Sequence, residues 1–395
     1  MLVPAGKYII GTIYLRSHVE LHLERGAVLI ASRDLKDYNA PDAYPQNWNS
    51  KVEEWNACHL ILAIGIEDAS LTGPGTIDGS AEYFYVAKNS FQGEVAWRHG
   101  YRAARDKQLL RPGQMVVFIE CKDVSVFDLK LQNSTCWTLF FHGCENVMVR
   151  GLQIRNPIYH ANTDGVDIDC CKNVVISDCI IETGDDAIAL RGDNERLLDK
   201  GKCCENISIT NCVLTTGVCG LRIGVGAGTI RNAVISNLTM PDCGEAVHIQ
   251  AVYGNKRIKG VDISNLRFSN IVAPNCSMPI NIEAGSAIAE AEMSNISFEH
   301  CWFRGFHCVN LSGNDQCILN HLAFSDIDFE IVDAPVVYRL SAPPENYIVI
   351  KKVDDIAFSN VRMRWNTKDS NWKSAMTRQD VHGLRIDTCA FPEPS

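Results

Sequence analysis

Acidic residues crowd one short stretch of the chain. Asn162-Thr163-Asp164-Gly165-Val166-Asp167-Ile168-Asp169 is followed by Gly184-Asp185-Asp186-Ala187-Ile188-Ala189-Leu190-Arg191. Asp164 and Asp185 are 21 residues apart, close to one turn of a coil of short stacked strands. That spacing predicts the same angular position on neighbouring rungs, which strand stacking holds about 4.8 Å apart. The carboxyls of Asp164, Asp185 and Asp186 then share one patch, and their repulsion raises the proton affinity of at least one. One acid can stay protonated to donate while a neighbour stays ionised as a base. Cleavage of a glycosidic bond needs that division of labour. A lone Gly-Asp-Asp reads as turn chemistry, because Gly and Asp fill turns generally. A second acidic motif one rung earlier shifts the reading towards a site.

The elements that must position these acids are legible as a repeat. Asn146-Val147-Met148-Val149, Asn173-Val174-Val175-Ile176, Asn206-Ile207-Ser208-Ile209, Asn232-Ala233-Val234-Ile235 and Asn295-Ile296-Ser297-Phe298 share one signature. Gly260, His321, Asp355 and Gly383 open similar units, with earlier ones near His18, Asp68 and Asp123. From Asp123 onward the intervals are 23, 27, 33, 26, 28, 35, 26, 34 and 28 residues. The short intervals fit one turn of a three-strand solenoid, and the long ones fit a turn with a loop inserted. Val, Ile and Phe fill the inward positions that stacked parallel strands require. Asn and Asp mark the corners, where they tolerate left-handed backbone. A β-propeller would need blades of about 40–45 residues, and a leucine-rich repeat would show a leucine lattice. The expected fold is all-β: one right-handed parallel β-helix domain over 1–395. Stretches 34–57 and 81–113 break the pattern and are rich in Tyr, Trp and charge. They read as loops inserted beside a cleft or as surface decoration. Met1-Leu2-Val3-Pro4 looks like mid-strand sequence with nothing covering the first rung, so an N-terminal cap is expected to be missing.

The net charge of −10 disfavours nucleic acid as a partner. No apolar run approaches the roughly 18 residues of a membrane helix. An anionic ligand would need a local cluster of basic residues. The 17 cysteines are odd in number and sit mostly in strand-like segments, so they read as buried small hydrophobes in a reducing compartment. A cytoplasmic location follows; a periplasmic or secreted one is the alternative if the N-terminus is truncated. No cofactor is implied. Nor is a metal: Cys170-Cys171 and Cys203-Cys204 face opposite sides of a strand and lack tetrahedral spacing. No oligomer is indicated.

Asn162-Thr163-Asp164 and Gly184-Asp185-Asp186 resemble two of the four signature motifs of the polygalacturonases, glycoside hydrolase family 28, which have a pectin-lyase-like solenoid. The segment Cys170–Cys179 between them and Trp137-Thr138-Leu139 before them extend the resemblance. It implies that Asp185 is the general acid and that Asp164 and Asp186 activate water. It further implies an inverting, exo-acting reaction on a pectin-related oligosaccharide, with acid and base about 6.5–9.5 Å apart. Two motifs depart from the family. Gly217-Val218-Cys219-Gly220 stands where Gly-His-Gly is expected, and His248-Ile249-Gln250 stands where Arg-Ile-Lys is expected. A literal Arg257-Ile258-Lys259 leads into the next strand and reads as a decoy. Arg222 is a candidate replacement for the lost carboxylate clamp. Asn162, His160, Arg191, His248 and Gln250 are further substrate-binding candidates. Trp137 joins them as a ring on which a sugar could stack, as do Trp48, Trp55 and Trp97, although packing is the commoner role for each. The altered motifs suggest a rhamnogalacturonan fragment, an unsaturated or substituted galacturonide or a neutral-sugar glycoside. A β-helix lyase or epimerase and a non-catalytic glycan-binding solenoid are the rival readings.

Overall fold

The computed structural model describes residues 1–87, 101–104, 110–254, 259–285, 289–334, 344–368 and 371–394, with only main chain at 86–87 and 101–104. Trp97, Arg257 and Ile258 lie outside the described residues, as does much of the 81–113 stretch. Strands dominate, and the helical segments among the described residues are two single turns, Leu35–Asp37 and Ala81–Phe84.

Alternation builds the coil. The strand Glu145–Arg150 buries Val147 and Val149 and exposes Met148. Lys172–Ser177, one rung on, buries Val174 and Ile176 and exposes Val175, pairing in parallel with Val147 against Val174 and Val149 against Ile176. The signature asparagines are the corners. Asn146, Asn173, Asn206, Asn232, Asn265 and Asn295 all have φ between 56° and 59°. Each of the last five donates its side-chain N–H to the asparagine one rung below, over 2.7–3.4 Å. This ladder needs both Asn's tolerance of the left-handed region and its two-sided amide. Inside, Phe268, Phe298, Phe324 and Phe358 stack with ring centroids 4.4, 5.5 and 5.0 Å apart. Like residues thus fall on like positions of successive rungs.

One column of strands carries the candidate site. Ile61–Ile64, Val116–Ile119, Leu139–His142, Val166–Asp169, Ile188–Gly192 and Cys219–Gly226 stack in parallel. The C-terminal ends of Thr229–Gln250 and Asp262–Glu283 continue it. Its outward file runs in register through Leu62, Val117, Phe140, Asp167, Ala189, Arg222, His248 and Asn281. The outer face therefore changes from apolar to charged at Asp167. Its apolar end packs under Tyr44, Trp48 and Trp55 of the 34–57 stretch, together with Trp137. No helix of the described residues is long and apolar enough to cross a membrane. All 17 cysteines are free, and all but Cys203 and Cys389 are buried.

Candidate active site

The triad sits at the corner that feeds this column. Asp164 precedes the strand Val166–Asp169, and Asp185 and Asp186 precede Ile188–Gly192. The corner is tight: a Cβ on Gly184 would come 2.0 Å from the His160 carbonyl oxygen, and one on Gly165 would meet the Ala187 oxygen at 2.4 Å. Only glycine fits either place, which accounts for its position in both motifs. The Thr163 hydroxyl donates to the His160 carbonyl (2.8 Å) and accepts from the Gly184 N–H (3.1 Å), tying the two rungs together. Thr183 and Thr216 both donate to the Asp185 carbonyl. As a result, one carboxylate oxygen from each of Asp164, Asp185 and Asp186 lies within 4.8 Å of the others. These oxygens are closer than the 6.5–9.5 Å carboxyl separation expected from the resemblance; Asp185 and Asp186 are adjacent in sequence and Asp164 lies one rung away.

The surroundings raise the proton affinity of Asp164, Asp167 and Asp185. Asp185 accepts from the backbone N–H of Asn162 (2.9 Å) and of Asp186 (3.0 Å), which favours its ionised form. Burial and the charge of Asp186 outweigh those bonds and push Asp185 up to about 7. Asp164 is 2% exposed. Burial and the charges of Asp167, Asp185 and Asp186 push it up as well, and Arg191 opposes them. Asp167 is pushed up to about 7 by burial, against the pull of Arg191. The guanidinium of Arg191 donates from Nε to Asp167 (2.7 Å) and from Nη2 to Asp164 (3.1 Å), and lies 4.1 Å from the centre of the Trp137 ring. Asp164 Oδ1 and Asp186 Oδ1 are buried and have no hydrogen-bond partner among the described residues. Buried acceptors are normally satisfied by protein or water, so these two oxygens mark a place for a donor.

A second layer supports the triad. Arg111, 1% exposed, donates to the Glu53 carbonyl (2.8 Å), to Asn162 Oδ1 (3.0 Å) and to the Thr135 carbonyl. The Tyr85 ring lies beneath it at 5.0 Å and stacks on His160 at 4.3 Å. Burial and the charge of Arg111 pull His160 down to about 4. Several sequence expectations are corrected here. His160, at 2% exposure, is too enclosed to meet a sugar, and the Trp137 ring is taken up by Arg191 and by packing against Trp48, Trp55 and Phe140. Arg191 is a buried counter-ion rather than a free substrate clamp. Asn162 acts through its backbone N–H on Asp185, while its side chain answers to Arg111. Sequence reasoning missed Arg111, Tyr85 and Glu53, which come from the stretches that break the repeat and so carry no positional signal.

Further along the column, the replaced motifs form their own network. Val218 is half-buried, and its neighbour Cys219 is buried with its sulfur 3.9 Å from His248 Nδ1. Burial and the charges of Asp186 and Glu245 hold that thiol well above its usual range. Arg222 reaches His248 Nδ1 (2.8 Å) and donates to Gln250 Oε1 (2.6 Å). His248 lies 3.0 Å from Glu245 and 3.2 Å from Glu283, and Gln250 donates to Glu283 (2.9 Å). Burial favours neutral His248, but its bonds to the two glutamates outweigh burial and raise its proton affinity. Glu245 is ionised: burial is overcome by His248, Asn281 and Arg222, which bring it down to about 2. Cys219, Glu245 and His248 have one ligand-type atom each within 4.8 Å, as does the triad. In each group a guanidinium, of Arg222 or Arg191, is already in contact with one member. Lys259, the described residue of the literal Arg-Ile-Lys, pairs with Asp262 at 3.0 Å on the surface.

Comparison with known proteins identifies the family. The sequence profile of Glycosyl hydrolases family 28 matches residues 30–305. A probable polygalacturonase of Vitis vinifera is 31% identical over 195 residues, covering 48% of this chain and 36% of that protein. An endo-polygalacturonase of Pectobacterium parmentieri is 25% identical over 368 residues, covering 93% of this chain and 79% of the relative. Among the curated relatives the chain spans 36%, 48% and 33% of the length of the first three. The solved family 28 exopolygalacturonase of Yersinia enterocolitica shares the fold, with a TM-score of 0.74 at 16% identity over 97% of this chain and 72% of that one. With the profile spanning most of the chain and both acidic motifs, this protein belongs to glycosyl hydrolases family 28.

Proposed function

We propose that this protein is a glycosidase that hydrolyses a pectin-related oligosaccharide, with Asp185 as general acid and Asp164 with Asp186 as the pair that activates water. One observation carries the reading. Asp164 Oδ1 and Asp186 Oδ1 are buried and unpartnered beside an Asp185 whose proton is held up to about 7. A water donating to both oxygens would be oriented and made basic, while the protonated Asp185 donates to the leaving oxygen.

The same enclosure supports inversion. A carboxylate separation near 5 Å is more usual for a two-step, retaining route. A nucleophilic carboxylate, however, must come within bonding distance of the anomeric carbon. Asp164 and Asp186 are 2% and 7% exposed, open enough for a water but not for a sugar carbon. In this reading the coil is a single right-handed unit over 1–395. The likeness to an exopolygalacturonase favours action at a chain end, and the unpaired cysteines favour a reducing compartment. The test is to incubate purified protein with oligogalacturonides and rhamnogalacturonan oligosaccharides and follow the products by chromatography, with Asp185→Asn in parallel. The proposal expects sugar release that the variant loses. Release unchanged in Asp185→Asn, or a product bearing a new double bond, would overturn it.

A further inference from the structure

The part of the cleft on the C-terminal side of the triad is built unlike a carboxylate pocket. Its cations are Arg222 and His248, and both are already engaged. His248 is bracketed by Glu245 at 3.0 Å and Glu283 at 3.2 Å. Arg222 donates to Gln250 from one terminal nitrogen, and its other lies 2.8 Å from His248 Nδ1, the nitrogen that faces Glu245. The glutamates are the more accessible partners: their side chains are 28% and 29% exposed, against 9% for His248. Against the two cations stand the two glutamates, with Asp186 one rung from Arg222 on the side of the triad. A carboxylate arriving here would meet two carboxylates before it reached a cation, and like-charge contacts at an interface cost several kcal/mol.

Sugar hydroxyls would be received differently. Exposed carboxylates accept hydrogen bonds from hydroxyl groups, and charge-assisted bonds are stronger than neutral ones. Beside them stands Tyr253, 51% exposed, with its ring 5.1 Å from the guanidinium carbon of Arg222. An exposed aromatic ring beside hydrogen-bond acceptors offers one face for the apolar side of a sugar and a polar edge for its hydroxyls.

We propose that the sugar bound over Glu245, His248, Glu283 and Tyr253, next to the reacting bond, is neutral and is recognised by its hydroxyls rather than by a carboxylate. This inference rests on the glycosidase reading and names the substrate class for it. The probes are tetragalacturonate, in which every unit is acidic, and a tetrasaccharide of alternating galacturonate and rhamnose. Wild-type protein is expected to cleave the alternating probe with a kcat/KM at least about tenfold higher. Glu245→Gln/Glu283→Gln should narrow that preference by removing the two carboxylates that an acidic unit would meet. Tyr253→Ala, at an exposed position that does not threaten folding, should raise KM for the alternating probe. Equal or better cleavage of tetragalacturonate, with the preference unmoved by the double variant, would overturn the inference and leave the glycosidase reading standing. If neither probe is cleaved, calorimetric titration of both decides. Tighter binding of the alternating probe upholds the inference without the hydrolase reading; tighter binding of tetragalacturonate, or binding of neither, sinks it.

Discussion

Replacing Asp185 with Asn removes the proposed general acid and should also change how stability depends on pH. In the fold Asp185 holds its proton up to about 7, whereas an aspartate in an unfolded chain titrates near ~3.9. The folded state thus has the raised affinity. The stability linked to this proton is fully present below the unfolded value and is lost as pH rises from about 4 through about 7. About three units at ~1.36 kcal/mol each give roughly 4 kcal/mol. Asp185 keeps a solvent-facing edge, so we halve this to about 2 kcal/mol for screening. At about 2.1 cal/mol/K per residue, the 395 residues give roughly 0.8 kcal/mol/K on unfolding, so about 2 kcal/mol is worth 2–3 °C of melting temperature. Asn carries a second cost. Two backbone N–H groups donate to the Asp185 carboxyl, and an amide has one acceptor oxygen for them, a loss of about 1–3 kcal/mol that does not vary with pH. The informative quantity is therefore the change in the difference between variant and wild type. Differential scanning fluorimetry near pH 5 and near pH 8 should show Asp185→Asn gaining 1–3 °C on wild type as pH rises, about what the halved linkage allows. A difference that stays constant or falls with pH would refute the reasoning that this carboxyl is protonated in the fold.

Arg191→Met should be among the most damaging single changes in the site. It leaves Asp164 and Asp167 without their shared counter-ion, a loss of about 3–5 kcal/mol, visible as a lower unfolding midpoint in urea and worse near pH 8 than near pH 5. Arg111→Met removes the donor to the Glu53 and Thr135 carbonyls and to Asn162; kcat should fall at least about tenfold through misplacement of the Asn162 N–H, with Arg111→Lys recovering part of it. Phe298→Ala opens the aromatic stack and should cost about 3–5 kcal/mol in urea unfolding while leaving kcat unchanged below the transition. The kcat profile should fall as pH rises past about 7, as Asp185 loses its proton; in a stopped assay, activity that climbs through that range would contradict its role as acid.

The coil was legible because each rung must repeat the same solution. The left-handed corner admits few residues, so Asn recurs at Asn146, Asn173, Asn206 and Asn232 with φ near 57°, and the residues between alternate in and out. The triad was legible for a related reason: Asp164 and Asp185 are separated by one rung, and spacing alone brings them together. Spacing says nothing about which way an enclosed side chain is spent. His160, Trp137 and Arg191 fall beside the acids in sequence, yet each is turned into packing or charge balance. Arg111 and Tyr85 come from an interruption of the repeat, where no period predicts a partner. The network of Arg222, Glu245, His248 and Glu283 spans three rungs. Its residues departed from the family motif, so its internal pairing became visible only in three dimensions.

The most direct test of the central claim is proton NMR of the first product formed from a cleaved oligosaccharide, recorded before mutarotation, for wild type and Asp185→Asn side by side. Wild type should release a sugar whose anomeric configuration is opposite to that of the bond broken. The variant should lose the general-acid contribution, about 100-fold or more in rate. Release by Asp185→Asn at the wild-type rate, or a first product that keeps the original configuration, would contradict the claim.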